Sequence, residues 1–260
     1  MPVTAIINMR ALTGGAMPRS FHCLMHPLFL DRISEADSEL GEAVHSSGAM
    51  VPFSISPVMG RKIKGAILEN ESYWVRLCFL QAELEDVFLN TLERGLWNEP
   101  MHLGDLSFQV EDVILGRQDG NPWSGRRSYE EMLCDGPVSQ NVALRLASPV
   151  SFKRGDLHYP LPDPGMIFGN LARRWNLFSS EKVPEKPICT DVSYSFLDIC
   201  TEPYALRKGG SILGTIGRLT FIFQGNEEMW RYYRTLLDFA FFSGIGVKTT
   251  QGMGMCRIIE

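Results

Sequence analysis

The order of elements along this chain predicts an α+β protein built from two tandem ferredoxin-like (βαββαβ) domains with antiparallel sheets. Both halves read strand, helix, strand, strand, helix, strand. Between them lies a polar stretch with the breakers Gly120-Asn121-Pro122 and Gly136-Pro137. The boundaries that follow are residues 1–118 for the first domain, 119–140 for a linker and 141–260 for the second domain.

The first half opens with a strand over residues 3–12. A helix over 20–36 follows, its apolar face holding Phe21, Leu24, Met25, Leu28 and Phe29. Pro27 falls inside that pattern, so it either kinks the helix or marks its true first turn. A short helical stretch over 37–44 leads to an apolar segment over 50–58 and a strand over 73–80. The helix over 81–93 ends near Gly95, and a strand over 106–115 closes the unit. In the second half, strands are expected over 142–152, 190–200, 212–223 and 253–259. Helices are expected over 164–178, opened by Asp163-Pro164, and over 227–242. The intervening segment carries one short helix near 129–133. Trp123 and Tyr129 within it are the better candidates for exposed stacking, while Trp175 reads as core.

With 260 residues, 45% hydrophobic and 21% charged, the composition is that of a globular protein of one large or two small domains. No run approaches a membrane span, and the N-terminus lacks a basic segment leading into an apolar signal core. The expectation is a soluble, cytoplasmic protein. Six cysteines stand singly, none in a Cys-x-x-Cys pair, which argues against a zinc knuckle or a secreted disulfide framework. His22 and His26 have the spacing of two ligands on one helical face, but no third ligand accompanies them, so no metal and no cofactor are expected.

The net charge of −5 is unevenly spread. Residues 1–139 hold 11 Lys and Arg against 19 Asp and Glu, and residues 140–260 hold 14 against 11. A basic surface therefore belongs to the second half.

Near the C-terminus, Gly244, Gly246, Gly252 and Gly254 surround Lys248 before a last apolar run. Such a loop tolerates positive φ and can turn successive amides toward an anion, with Lys248 adding a point charge. A dinucleotide or nucleoside-triphosphate loop must open a helix within a βαβ unit, and only six residues follow Gly254, enough for one short strand. The plainer reading is a turn joining the last helix to the last strand.

Three segments carry a resemblance to a known family. They are Gly244-Ile-Gly-Val-Lys-Thr-Thr-Gln-Gly-Met-Gly254, the stretch Leu161-Pro-Asp-Pro-Gly-Met-Ile-Phe-Gly-Asn-Leu-Ala-Arg-Arg-Trp-Asn-Leu-Phe178, and Val44-His-Ser-Ser-Gly-Ala-Met-Val-Pro-Phe-Ser-Ile-Ser-Pro57. With the doubled element order, they make the chain resemble the repeat-cleaving endoribonucleases of CRISPR systems, the Cas-six branch of the RAMP superfamily. The resemblance implies binding to CRISPR repeat RNA in the precursor crRNA and one metal-independent cut. The ends left would be a 2′,3′-cyclic phosphate and a 5′-hydroxyl. Other CRISPR effector subunits are implied as possible partners, and no membrane is.

His45 matches the family's active-site histidine, and an imidazole suits proton transfer to or from the reacting oxygens near neutral pH. Members often carry a lysine just before the Pro-Phe pair, where this chain has Val51. Arg61, Lys62 and Lys64 are then the candidates for the cation that meets transition-state charge, the alternative being a solvated turn. The RNA-binding candidates are the four loop glycines and Lys248, Arg173 and Arg174 in the Arg-Arg-Trp-Asn helix, and the basic pairs Lys153 with Arg154 and Arg207 with Lys208. Contact runs through the C-terminal domain and the inter-domain cleft. Two other readings stand beside this one: a non-cleaving RNA-binding subunit of a CRISPR effector complex, and a small-molecule module using the glycine loop for a nucleotide.

Overall fold

The computed structural model describes residues 1–46, 50–134, 138–185, 189–207 and 209–259. Its elements run β1 (Val3–Ala11), β2 (Gly15–Ala16), α1 (Met25–Ala36), α2 (Ser38–Ser46), β3 (Phe53–Ile55), β4 (Met59–Gly60), β5 (Ala66–Ile67), β6 (Ser72–Phe79), α3 (Ala82–Glu93), β7 (Met101–Leu103) and β8 (Leu106–Leu115). There follow α4 (Tyr129–Cys134), β9 (Asn141–Val150), β10 (Phe152–Arg154), β11 (Leu157–Tyr159), α5 (Pro164–Phe178), β12 (Val192–Ala205), β13 (Ser211–Phe223), α6 (Glu227–Ser243) and β14 (Cys256–Ile259). The chain divides into two compact units. One comprises residues 1–126 with 205–209 and 250–252, and the other 127–204, 210–249 and 253–260.

In the first unit the sheet runs β3-β6-β1-β8-β7, with β4 also on β6. The four strands expected from sequence thus lie in the order second, third, first, fourth, the ferredoxin-like arrangement. Val3, Ala5, Ile7 and Met9 of β1 meet Tyr73, Val75, Leu77 and Phe79 of β6 and the inner faces of α1 and α3 in one core. Pro27 sits in the first turn of α1, where its missing N–H breaks no hydrogen bond. The expected long helix over 20–36 is therefore split. A single 3-10 turn, Phe21–Cys23, precedes it.

The apolar residues of β8 change phase partway, from Leu106, Phe108 and Val110 to Val113 and Leu115. Period-two alternation alone would send one of those sets to the wrong face. A bulge resolves it: Met9 pairs Val110 and Asn8 pairs Asp112, leaving Glu111 as the extra residue. Glu111 faces out and accepts from Arg10 Nε at 2.7 Å.

The second unit repeats the plan with the sheet order β12-β13-β9-β14. Asp163 caps α5 by accepting the Met166 amide at 2.9 Å, Pro164 occupies the first helical position, and Asn226 caps α6 in the same way. Phe168 of α5 packs against Phe221 of β13 and Tyr233 of α6, with ring centroids 5.3 and 4.6 Å apart.

The segment read as a linker is tied down on each side. Thr4 N–H donates to the Gly125 carbonyl and Val3 bridges Arg126 in the first unit. In the second, Tyr129 is buried edge-on against Trp175 at 4.9 Å and against Phe239. Tyr129 is thus no exposed stacking platform, because its ring completes the aromatic core beneath α5 and α6. Trp123 lies half-buried with the Arg76 guanidinium 5.2 Å from its ring centre, so it too is occupied within the protein. Among the described residues no helix is long and apolar enough to cross a membrane.

Candidate functional site

The glycine loop between α6 and β14 is held from two sides. Along the end of β9, Gly254 N–H donates to the Pro149 carbonyl, Met255 N–H to Ser148 Oγ and Val247 N–H to the Ser151 carbonyl, each at 2.9 Å. On the α5 side, Asn170 Oδ1 accepts the Gly246 amide at 3.1 Å, and one turn later Arg174 Nη1 donates to Thr249 Oγ1 at 2.8 Å. An i, i+4 pair on one helix therefore grips the loop at two points.

Such bonds take up six of the amides that the sequence offers to an anion. The amides of Gly244, Ile245, Gly246, Val247, Met253 and Gly254 all donate to protein acceptors. Gly244, Gly246, Gly252 and Gly254 are buried, with φ of 68°, 82°, 98° and 80°. Close approach explains two of them. A Cβ on Gly246 would lie 2.2 Å from the Ser151 carbonyl oxygen, and one on Gly254 would lie 2.3 Å from that of Ile245. Their work is to let the chain fold tightly, which leaves Lys248 exposed at the corner with φ 58°.

Arg174 also differs from its expected place. It is 3% exposed, so its guanidinium supports the loop from beneath instead of presenting itself to a phosphate. Arg173, its neighbour, is exposed on the outer side of α5, with Nε donating to the Gly169 carbonyl. Lys153 and Arg154 lie exposed on β10 of the β10–β11 hairpin, with Arg154 over the Tyr159 ring at 5.5 Å and Leu157 three-quarters exposed at the turn. Arg207 is exposed, and Lys208 falls outside the described residues. Sequence reasoning missed Asn170, Thr249 and Ser151, which shape the loop. The one sequence signal was the helical spacing of Asn170 and Arg174.

In the first unit α2 is capped by Asp37, whose carboxylate accepts the Leu40 amide at 2.9 Å. The helix runs to Ser46 and so carries His45 in its last turn, ahead of β3. The His45 side chain lies outside the described residues. Of the three cation candidates, Arg61 and Lys64 are exposed. Lys62 is half-buried, its amine donating to the Val58 carbonyl, and burial lowers its pKa. His22 is lowered to about 4, by burial first and by repulsion from Lys62 second. His26 stacks on Phe53, with ring centroids 5.9 Å apart. The two histidines do not share one continuous helix, since His22 belongs to the 3-10 turn and His26 to α1. Among the described residues no three His, Cys, Asp or Glu side chains gather as a metal site.

Two ferredoxin-like units in tandem, the second with a braced glycine loop before its last strand, define the structural class. The model of the CRISPR Cas6 N-terminal domain matches residues 1–134, and that of the CRISPR-associated endoribonuclease Cas6 matches residues 144–256. The chain belongs to the Cas6 family. A CRISPR-associated endoribonuclease Cas6 of Mycobacterium tuberculosis is 26% identical over 126 residues, which cover 47% of this chain and 40% of that relative. The match thus spans well under half the length of the curated relative. Among solved structures, one Cas6 product complex superposes with TM-score 0.82 at 26% identity, covering all of both chains. A second gives TM-score 0.78 at 27% identity, covering 100% of this chain and 99% of the other.

Proposed function

We propose that this protein is a metal-independent endoribonuclease that binds CRISPR repeat RNA and cleaves precursor crRNA once. The observation that carries the reading is the family match on both halves, together with His45 in the last turn of α2 ahead of β3. The ribose 2′-hydroxyl attacks the adjacent phosphorus in line, and the 5′-oxygen leaves. The products are a 2′,3′-cyclic phosphate and a 5′-hydroxyl. His45 moves the proton, as base for the 2′-hydroxyl or as acid for the leaving oxygen, a role typically worth about 10²–10⁴ in rate. Lys62 is the favoured transition-state cation over Arg61 and Lys64. A half-buried amine meets developing phosphate charge with less water between them.

RNA contact falls to the exposed cations Lys153, Arg154, Arg173, Lys248 and Arg207, with the glycines and Arg174 setting the shape of the loop that presents Lys248. Val51, where family members often carry lysine, favours a second reading, a non-cleaving RNA-binding subunit of a CRISPR effector complex.

Labelled repeat RNA incubated with the protein in EDTA separates these. The nuclease cuts at one position, and RNA with a single 2′-deoxy there binds and stays intact. His45→Ala abolishes most cutting and leaves RNA affinity within severalfold. Binding without any cutting by the unaltered protein assigns it to the subunit role.

A further inference from the structure

In β9, Val142, Leu144 and Leu146 are buried, so the alternate positions Ala143, Arg145 and Ala147 belong to the opposite face of the sheet. The register places two more arginines on that face beside Arg145: Arg218 of β13 pairs with it on one side, and Arg257 of β14 on the other. The neighbouring residues Leu219, Phe221 and Cys256 are fully buried, and Phe221 packs on Phe168 of α5. The three arginines therefore lie on the face turned away from the helices. Arg145 and Arg218 are exposed and Arg257 is half-buried.

Like charges directly opposite one another destabilise a sheet, and here three guanidiniums share one cross-strand row about 10 Å wide at the usual strand spacing. Among the described residues, neither Arg145 nor Arg218 takes part in an ion pair that would offset the repulsion. In a chain whose net charge is −5, the opposed Arg145 and Arg218 carry a cost to stability that an anionic ligand removes.

We propose that Arg145, Arg218 and Arg257 form a binding row for the phosphodiester backbone of RNA, separate from the glycine loop and the β10–β11 hairpin. The inference rests on the RNA-processing reading. A polymer with one anion per repeat suits evenly spaced, planar guanidiniums that can each hold a phosphate through two N–H groups. Contacts of this kind position RNA and carry no base preference.

The test uses the full chain and fluorescence anisotropy over a range of salt. The probes are a labelled repeat RNA and a labelled uridine homopolymer. In the triple variant Arg145→Gln/Arg218→Gln/Arg257→Gln both RNAs should bind more weakly. The slope of log affinity against log salt should become shallower by about 2, at about 0.7 per phosphate contact on a single strand. In the double variant Arg145→Gln/Arg218→Gln the thermal midpoint should hold or rise, because the repulsion between these two guanidiniums is gone. If the triple variant fails to fold, the single exposed change Arg145→Gln carries the test with an expected slope change of about 0.7.

Unchanged affinity and slope in a folded variant overturn the row while leaving the nuclease reading intact, provided the unaltered protein still binds and cuts repeat RNA. Absence of RNA binding by the unaltered protein overturns both. If polyglutamate binds the unaltered protein but not the variant, while RNA affinity is the same for both, the row belongs to an acidic protein partner and the proposal fails.

Discussion

Arg174, buried in α5, donates to Thr249 Oγ1 across 2.8 Å and so links the helix that carries it to the interior of the glycine loop. A buried guanidinium is costly unless its hydrogen bonds are made, so the pair is stabilising only while both members are present. Thr249→Val removes the acceptor, keeps nearly the same volume, and should lower unfolding stability in urea by about 1–3 kcal/mol. Arg174→Met removes charge and donor together. The double variant should then lose less than the sum of the two single losses, because Thr249→Val strands no donor once Arg174 is gone. Strict additivity would mean that the bond contributes nothing to the loop.

The loop glycines separate two effects that usually travel together. Gly246→Ala and Gly254→Ala each combine a positive φ with a Cβ driven into a backbone carbonyl, at 2.2 and 2.3 Å. Gly155, at φ 61° in the β10–β11 turn, has nothing within 4 Å of where its Cβ would go. Gly155→Ala should therefore cost only conformational strain, about 1 kcal/mol, whereas the two loop substitutions should cost several times that, since each Cβ meets backbone and not the end of a flexible side chain. Thermal denaturation of the three variants ranks them directly. Equal losses would show that the loop can open to admit a methyl group.

Much of this architecture was legible in the sequence because its signals are local. Asp163-Pro164 announced the start of α5, and the stretches read as strands over 3–12 and 142–152 overlap β1 and β9. What escaped detection depends on distant partners. Arg174 reads as one half of a basic pair, and only the loop folding over it turns it from a surface cation into a buried brace. The amides of Gly246 and Gly254 looked available to an anion because nothing in the sequence says that Asn170 and Pro149 will take them. Tyr129 looked exposed because it sits among polar residues, yet Trp175 and Phe239 bury it. Arg145, Arg218 and Arg257 lie far apart in the chain and meet only through strand register.

His22 gives the fold a pH dependence whose sign follows from its burial. In the folded chain its pKa falls from 6.5 to about 4, with burial the larger cause and Lys62 the smaller. The unfolded chain titrates near the ordinary value, so between those two pH values it binds more protons than the folded chain does. The stabilisation is full above about pH 6.5 and is lost as pH falls toward 4, at a limiting slope of about 1.4 kcal/mol per pH unit. His22→Gln removes that component, and the denaturation midpoint of the variant should fall less steeply than that of the unaltered protein across this window. Lys62→Gln removes the repulsion but leaves the burial. The His22 pKa followed by NMR should then rise above 4 while remaining below 6.5. A value that returns fully to 6.5 would make Lys62, and not desolvation, the main cause. Parallel midpoints for His22→Gln and the unaltered protein would place the imidazole in water.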